Sequence, residues 1–354
     1  MIKVLLADDS GIVRAMLKQL MNDDERFIVC ATAENGQRAV ELNAVFKPDL
    51  IIMDINMPVM DGITATKKIL LQSSPAVIAF TTEDSADIGF KCLEAGALDV
   101  VKKPDLAEMN QSVISSFLDQ FYFIAEKNKF NIQKPRKKSL LTRIEQNAES
   151  YGLTDFKSLS TSKQYEAVVV GSSTGGPAAL LELLTGFGNS FPLPVLITQH
   201  IDTQFDVHLV KWLKKNSGQN IKLAENGEIP RPGTFYLAPA DRHLTVTGNY
   251  ESQKIITITD DSPVHYLKPA VDKLFSSAAE AYRDRLIAVI LTGMGRDGAE
   301  GCRKAFDNGA LTIAQDEKTC TVFGMPQAAI KEGGIKQILS LEEIAPFIRR
   351  KISL

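Results

Sequence analysis

The sequence predicts an α/β protein of two domains, a five-stranded parallel sheet followed by a second doubly wound α/β unit with an antiparallel β insert. Three observations predict it. The chain has 354 residues, enough for two domains at roughly 150 residues each. Short β-rich runs alternate with helical stretches in both halves, the pattern of parallel sheets joined by helical crossovers. Charge changes sharply between them: residues 1–126 carry 11 basic and 19 acidic side chains, residues 127–163 carry 9 and 3, and residues 164–354 carry 20 and 21. The expected boundaries are 1–125 for the first domain, 126–163 for a basic polar linker and 164–354 for the second domain. The linker holds Lys134-Pro135-Arg136-Lys137-Lys138 and no sustained apolar period, so it reads as solvated chain.

In the first domain the strands read KVLLAD (3–8), IVCA (28–31), DLIIMD (49–54), AVIAF (76–80) and LDVVKK (98–103). Val13, Met16, Leu17 and Leu20 recur at helical spacing after the first strand, and Val113, Phe117, Phe121 and Ile124 mark one face of the last helix. After the linker, YEAVVV (165–170) precedes a helix opened by Pro177, and LPVLIT (193–198) precedes a helix around 205–215. TFYLAP, HLTVTG and KIITITD, set between turn residues, supply the antiparallel insert. A helix near 269–283, strand LIAVILT (286–292), a helix from about 298, strand LTIAQ (311–315) and a terminal pair, IKQILSL and EEIAPFIRRK, complete the order.

Composition excludes several classes. A net charge of −3 argues against a generic polyanion binder, and residues 164–354 show no compact helix-turn-helix, so no nucleic-acid partner is expected. No apolar run reaches the roughly 18 residues of a membrane span, so neither membrane insertion nor a signal peptide is expected, which points to the cytoplasm. Cys30, Cys92, Cys302 and Cys320 form no CxxC and read as reduced thiols. His208, His243 and His265 show no metal-ligand spacing and read as structural.

The first domain gathers chemistry at its strand ends. Asp8 and Asp9 end strand one, Asp54 ends strand three, Thr81 follows strand four, and Lys103 follows strand five just before Pro104. In open α/β sheets these ends surround the ligand crevice. Adjacent carboxylates repel unless a cation is present, and hard oxygen ligands suit Mg²⁺. A carboxylate is also a competent nucleophile toward phosphorus once metal and lysine cancel the phosphoryl charge. Residues 1–125 resemble a two-component receiver domain, a flavodoxin-like fold, through Asp8-Asp9, the stretch Asp54-Ile55-Asn56-Met57-Pro58-Val59-Met60-Asp61-Gly62, Thr81 and Lys103-Pro104. The resemblance implies that Asp54 accepts the phosphoryl group from a histidine kinase. It implies that Asp9, Asp54 and the Asn56 carbonyl hold Mg²⁺ with Asp8 assisting, and that Thr81 and Lys103 engage the new phosphate. Val100 departs from the pattern, standing where an aromatic switch residue is usual.

The second domain places Gly171-Ser172-Ser173-Thr174-Gly175-Gly176 between a strand and a helix. Such a loop serves as a phosphate cradle or holds a hydroxyl at a sharp turn; no lysine follows the glycines, so the P-loop pattern is absent. His200 lies just past one strand and Asp297 just past another. Serine needs a base for its proton, and histidine needs a carboxylate to fix its tautomer, so the three could converge at one sheet edge. Gly293-Met294-Gly295-Arg296-Asp297-Gly298 is also a literal GxGxxG, with Asp316 and Glu317 where a ribose-binding acid would stand. A dinucleotide-dependent oxidoreductase is therefore a rival, although it leaves GSSTGG and Gln199-His200 unused.

Residues 165–350 resemble the catalytic domain of the CheB family, chemotaxis response regulator protein-glutamate methylesterases, through GSSTGG, QH, LTGMGRDG, AQDE and VFGMP. The receiver in front matches that family's domain order. By that resemblance Ser173, rather than Ser172, is the nucleophile, His200 the base and Asp297 the orienting acid, with the Met294 N–H in the oxyanion hole. It implies hydrolysis of glutamate γ-methyl esters on methyl-accepting chemotaxis receptors, extending to glutamine deamidation, with no cofactor for the esterase and an unphosphorylated receiver holding the activity down. Ile201-Asp202 and the stretch Val264–Asp272 depart from the family pattern. The remaining alternative is a response regulator whose output domain binds a partner protein without chemistry.

Overall fold

The computed structural model describes residues 1–82, 86–103, 110–131, 164–203, 205–248 and 251–352, and these divide into two compact units. In the first unit the strands are β1 (Ile2–Ala7), β2 (Phe27–Ala33), β3 (Leu50–Asp54), β4 (Ala76–Thr81) and β5 (Asp99–Lys102). They alternate with α1 (Gly11–Asn22), α2 (Gly36–Phe46), α3 (Gly62–Gln72), α4 (Ala86–Glu94) and α5 (Gln111–Asn131). All the strand pairs are parallel, in the order β2-β1-β3-β4-β5. β3 and β4 are buried along their whole length because helices cover both faces, which is why they read as unbroken apolar runs. Polar caps start three helices: Ser10, Asn35 and Asp61 accept from the N–H groups of Val13, Arg38 and Thr64. On α5, Phe121 and Ile124 are buried as the spacing predicts, and Phe117 packs on Phe121 with ring centroids 6.1 Å apart.

α5 continues to Asn131, six residues past the expected boundary at 125, so residues 126–131 are helical rather than linker. The rest of the expected linker, 132–163 with its basic run, lies outside the described residues.

In the second unit the strands are β6 (Ala167–Ser172), β7 (Val195–Gln199), β8 (Asn220–Leu223), β9 (Thr234–Leu237), β10 (His243–Thr247), β11 (Ile255–Thr259), β12 (Leu286–Ile290), β13 (Leu311–Gln315) and β14 (Gln337–Leu339). The helices are α6 (Gly176–Phe187), α7 (Phe205–Ser217), α8 (Val271–Tyr282), α9 (Ala299–Asp307), α10 (Met325–Lys331) and α11 (Leu341–Ile352). Among the described residues, seven strands form a parallel sheet in the order β14-β13-β12-β6-β7-β9-β8, and β10 and β11 pair antiparallel. The insert is therefore smaller than expected: TFYL forms β9, which pairs in parallel with β7 and β8 and belongs to the main sheet. Burial explains its membership, since Phe235, Tyr236 and Leu237 are covered as a central strand requires.

β6 begins the sheet; the chain winds first to β7 on one side and returns as β12 on the other. The order therefore reverses beside β6, and the carboxyl end of β6 is where a crevice is expected. Val271, Leu274 and Phe275 of α8 pack over Val169, Leu196 and Ile290 of the sheet, so the start of α8 lies close to that crevice.

Candidate functional site

In the second unit, three loops meet at the reversal point. Ser172 pairs with Gln199 in the β6–β7 register, and the His200 N–H donates to the Ser172 carbonyl at 3.0 Å. On the other side of β6, the Ser173 N–H donates to the Thr292 carbonyl at 3.0 Å, just past β12. The two serines separate clearly. Ser172 is buried and its Oγ donates to Gln199 Oε1 at 2.6 Å, whereas Ser173 is half-buried and its Oγ makes no hydrogen bond among the described residues. Alternation along the strand accounts for this, because consecutive side chains face opposite ways.

Two glycines allow the close approach. A Cβ on Gly293 would fall 2.8 Å from Ser173 Cβ and 2.2 Å from Met325 Sδ. Gly175, which caps α6 at φ 72°, sits where a Cβ would strike Thr321 Oγ1 at 2.3 Å. Pro177 follows in the first turn of α6, where its missing N–H costs nothing.

His200 Nε2 lies 2.7 Å from Asp297 Oδ2. The Asp297 side chain is fully buried, and the Val271 and Asp272 N–H groups donate to its two oxygens at 2.6 and 3.0 Å. These are donors that the first turn of α8 leaves unpaired, at its positive dipole end. Burial raises the Asp297 carboxyl, but the His200 bond and charge and the two N–H groups outweigh it, so the group titrates below its ordinary value. With its Nε2 proton on the aspartate, a neutral ring keeps Nδ1 as a proton acceptor. The structure thus joins His200 to Asp297 and brings Ser173 to the same strand ends, without a hydrogen bond between Ser173 and His200 among the described residues. The Met294 N–H, in the loop that follows Gly293, has no partner among the described residues.

Sequence reasoning assigned no role to four contributors. Gln199 and Thr292 bond to the backbone around the serine, and the first turn of α8 supplies the N–H groups on Asp297. Asp272 lies behind that acid: Gly301 N–H donates to its Oδ1 at 2.7 Å, while its Oδ2 is buried without a hydrogen bond. Burial, reinforced by the Asp297 charge, raises the Asp272 carboxyl to about 6. A polar residue inside an apolar run was the available signal for Gln199 and Thr292. The backbone donors have none, since any residue supplies an N–H. His243 is structural as expected, held between Ala270 N–H and the Ser262 carbonyl. The four cysteines are free thiols.

In the first unit, Asp8, Asp9 and Asp54 bring carboxylate oxygens within 4.8 Å of one another at the β1 and β3 ends. Lys103 Nζ lies 2.7 Å from Asp8 Oδ2 and 3.0 Å from Asp54 Oδ1. Burial raises the Asp54 carboxyl above its ordinary value, with the Lys103 charge opposing and the Asp8 charge adding. The buried Asp8 Oδ2 meets no hydrogen-bond donor of good geometry and is balanced by the lysine charge instead. A set of hard, clustered, partly unsatisfied carboxylate oxygens fits a divalent cation such as Mg²⁺. Thr81 is buried beside this pocket, and its carbonyl accepts the Lys103 N–H at 2.7 Å. Val100 packs near Gly89, whose added Cβ would meet Val100 Cγ1 at 3.0 Å and Thr81 Cγ2 at 3.2 Å.

Comparison with known proteins decides the family. Residues 168–348 match the CheB methylesterase model and residues 4–114 the response regulator receiver domain model. The chain belongs to the CheB methylesterase family. A protein-glutamate methylesterase/protein-glutamine glutaminase of Colwellia psychrerythraea is 36% identical, with 99% of each chain covered. One from Vibrio cholerae is 35% identical, with 97% of each covered. The crystal structure of the Thermotoga maritima CheB methylesterase catalytic domain is 37% identical, covering 54% of this chain and 99% of its own, with a TM-score of 0.50. As a family member the chain is an ester hydrolase joined to a receiver, a response regulator of the two-component type, and the GMGRDG loop is part of its methylesterase domain. Among the described residues, no helix is long and apolar enough to cross a membrane.

Proposed function

We propose that the protein hydrolyses glutamate γ-methyl esters on the cytoplasmic helices of chemoreceptors, and deamidates glutamine there, through Ser173, His200 and Asp297. The observation that carries the reading is the 2.7 Å pair between His200 and a buried Asp297, formed at the same sheet edge as a Ser173 hydroxyl that makes no hydrogen bond among the described residues. Ser173 Oγ attacks the ester carbonyl while His200 takes its proton on the ring nitrogen facing away from Asp297. The buried carboxylate stabilises the imidazolium that forms. The Met294 N–H faces the developing oxyanion, a contribution of about 2.7–4 kcal/mol for such a donor. His200 then protonates the departing methanol, and water, activated by the same ring, releases the glutamate side chain from Ser173. A glutamine amide follows the same tetrahedral path with ammonia leaving.

In the receiver, Asp54 is the phosphoacceptor for a histidine kinase. Asp9, Asp54 and the Asn56 carbonyl would hold Mg²⁺ with Asp8 assisting, and the ion supplies charge neutralisation for the incoming phosphoryl group. Lys103 and Thr81 hold the new phosphate, which carries about −1.5 to −2 charges at pH 7. Phosphorylation raises the esterase rate. A receiver that ends with α5, a catalytic domain of 164–354, a cytoplasmic location and an esterase that works without a cofactor belong to the same reading.

The catalytic half is tested with a phosphonofluoridate, which should modify the chain once, at Ser173, as located by mass spectrometry. Ser173→Ala should abolish both labelling and methanol release, the latter by several orders of magnitude. Labelling elsewhere with undiminished turnover would refute the assignment.

A further inference from the structure

Gln199 ends β7 directly before His200, and its side-chain amide is buried with every polar atom engaged. Oε1 accepts from Ser172 Oγ at 2.6 Å, and Nε2 donates to the Ser173 carbonyl at 2.9 Å and the His200 carbonyl at 2.8 Å. One planar amide therefore grips the backbone of the residue carrying the hydroxyl and that of the residue carrying the imidazole. The Ser173 carbonyl also accepts from the Gly176 N–H at 2.7 Å, which ties the elbow to the start of α6. The fit there is close, since a Cβ on Gly176 would lie 1.9 Å from Gln199 Oε1. On the far side, the Ser173 N–H is held by the Thr292 carbonyl, and Thr292 Oγ1 lies 3.0 Å from the Thr174 carbonyl.

We propose that Gln199 is a positioning residue for the esterase reaction, its amide setting the separation of Ser173 from His200 by holding both backbones at once. The proposal rests on the assignment of Ser173 and His200 made above. A primary amide suits the task because its two N–H bonds diverge from one nitrogen toward two carbonyls while its oxygen takes a hydroxyl. Ionised glutamate has the same shape but donates nothing, and it turns a negative oxygen toward two carbonyl oxygens. Protonated glutamate restores one of the two donors. A displacement of about 1 Å between reacting groups costs on the order of 100-fold, and uniform substrate binding is untouched by it.

The experiment measures methanol release from a helical peptide bearing a glutamate γ-methyl ester. It uses the full chain as wild type, Gln199→Glu and Ser173→Ala at pH 5.5 to 8.5, with thermal unfolding followed at each pH. Expected is a loss of about 10–100-fold in kcat for Q199E, with KM within about twofold. The ratio of Q199E to wild-type kcat should fall further as pH rises through the introduced carboxyl's titration. A purely structural role would lower the melting temperature and leave that ratio flat among folded molecules. Q199E with wild-type kcat at every pH, beside an inactive S173A, overturns the Gln199 proposal; an active S173A overturns the assignment beneath it. Should Q199E not fold, side-chain amide NMR of wild type decides. Slow exchange of both Gln199 amide protons, with a shift when Ser173 is phosphonylated, is the expected result, and rapid exchange without a shift contradicts it.

Discussion

In the proposed triad Asp297 is the residue on which the geometry turns, because its buried carboxylate receives His200 and two N–H groups. Its carboxyl titrates below the ordinary carboxylate value, so it stays ionised throughout the working range and does not set an acid limb of activity. Asp297→Asn should lower kcat by about 10³–10⁴-fold through the wrong imidazole tautomer, with little change in KM, in steady-state methanol release. Asp272 behaves oppositely. Its carboxyl, raised by burial to about 6, faces Asp297 from the loop after β12, the Gly301 N–H from α9, and His265 Nε2 at 4.0 Å, with Lys273 next to it on α8. The folded chain holds this proton more tightly than the unfolded chain. Its contribution to stability is therefore complete below about pH 4 and is lost as pH rises through about 6. Urea denaturation across that window should show the wild-type midpoint falling relative to Asp272→Asn; a rise would contradict the placement. Residue identity was legible where strand ends carry chemistry: Asp54 closes an apolar run, and His200 and Asp297 lie in the loops just past one. Ser172 and Ser173 were not separable by spacing, since both are serine and one residue of register decides which of them faces the sheet. Gln199 was visible as part of the QH motif, but its bracing role was not, because two of its three partners are backbone carbonyls, which leave no trace in a side-chain pattern.

At the scale of elements, the proposed triad requires a close approach between the β6 elbow and the loop after β12. Gly293→Ala would push a methyl into Ser173 Cβ and Met325 Sδ. The expected cost is about 1–3 kcal/mol of stability from overpacking, with a kcat loss on the order of 100-fold from the shifted elbow, read by urea denaturation and methanol release. Unchanged kcat in a folded G293A protein would show that the elbow tolerates displacement. Strand runs were readable because both sheets are covered on two faces, which makes LIIM, ahead of Asp54, and LIAVI apolar without interruption. Pairing was less so. TFYL has four residues and no feature that distinguishes a parallel neighbour from an antiparallel one, so its place beside β7 became visible only with the sheet assembled. β8, a short edge strand with an exposed Asn220, carries too little apolar signal to be noticed. α10 had a start signal, Pro326 in its first turn, but only seven residues in which to express a period. α5 overran its expected end because Lys127 and Asn128 read as solvated chain, although Asn128 is buried and donates to the Ser74 carbonyl at 2.8 Å.

For the whole molecule, the receiver and the methylesterase domain carry separate chemistries, and in the proposed reading the link between them is a phosphoryl group on Asp54. Chelating Mg²⁺ should abolish stimulation by a small phosphodonor such as acetyl phosphate while leaving basal methanol release intact, because in the proposed reading the acid pocket alone depends on the ion. Loss of basal activity on chelation would place a metal in the esterase as well. The broadest test follows methanol release by the full chain from a glutamate γ-methyl ester peptide, with and without acetyl phosphate and Mg²⁺, in wild type, Asp54→Asn and Ser173→Ala. The predicted result is a wild-type rate that rises with the phosphodonor, a D54N rate that does not respond, and no turnover by S173A in either condition. Turnover by S173A at a rate near wild type would contradict the account.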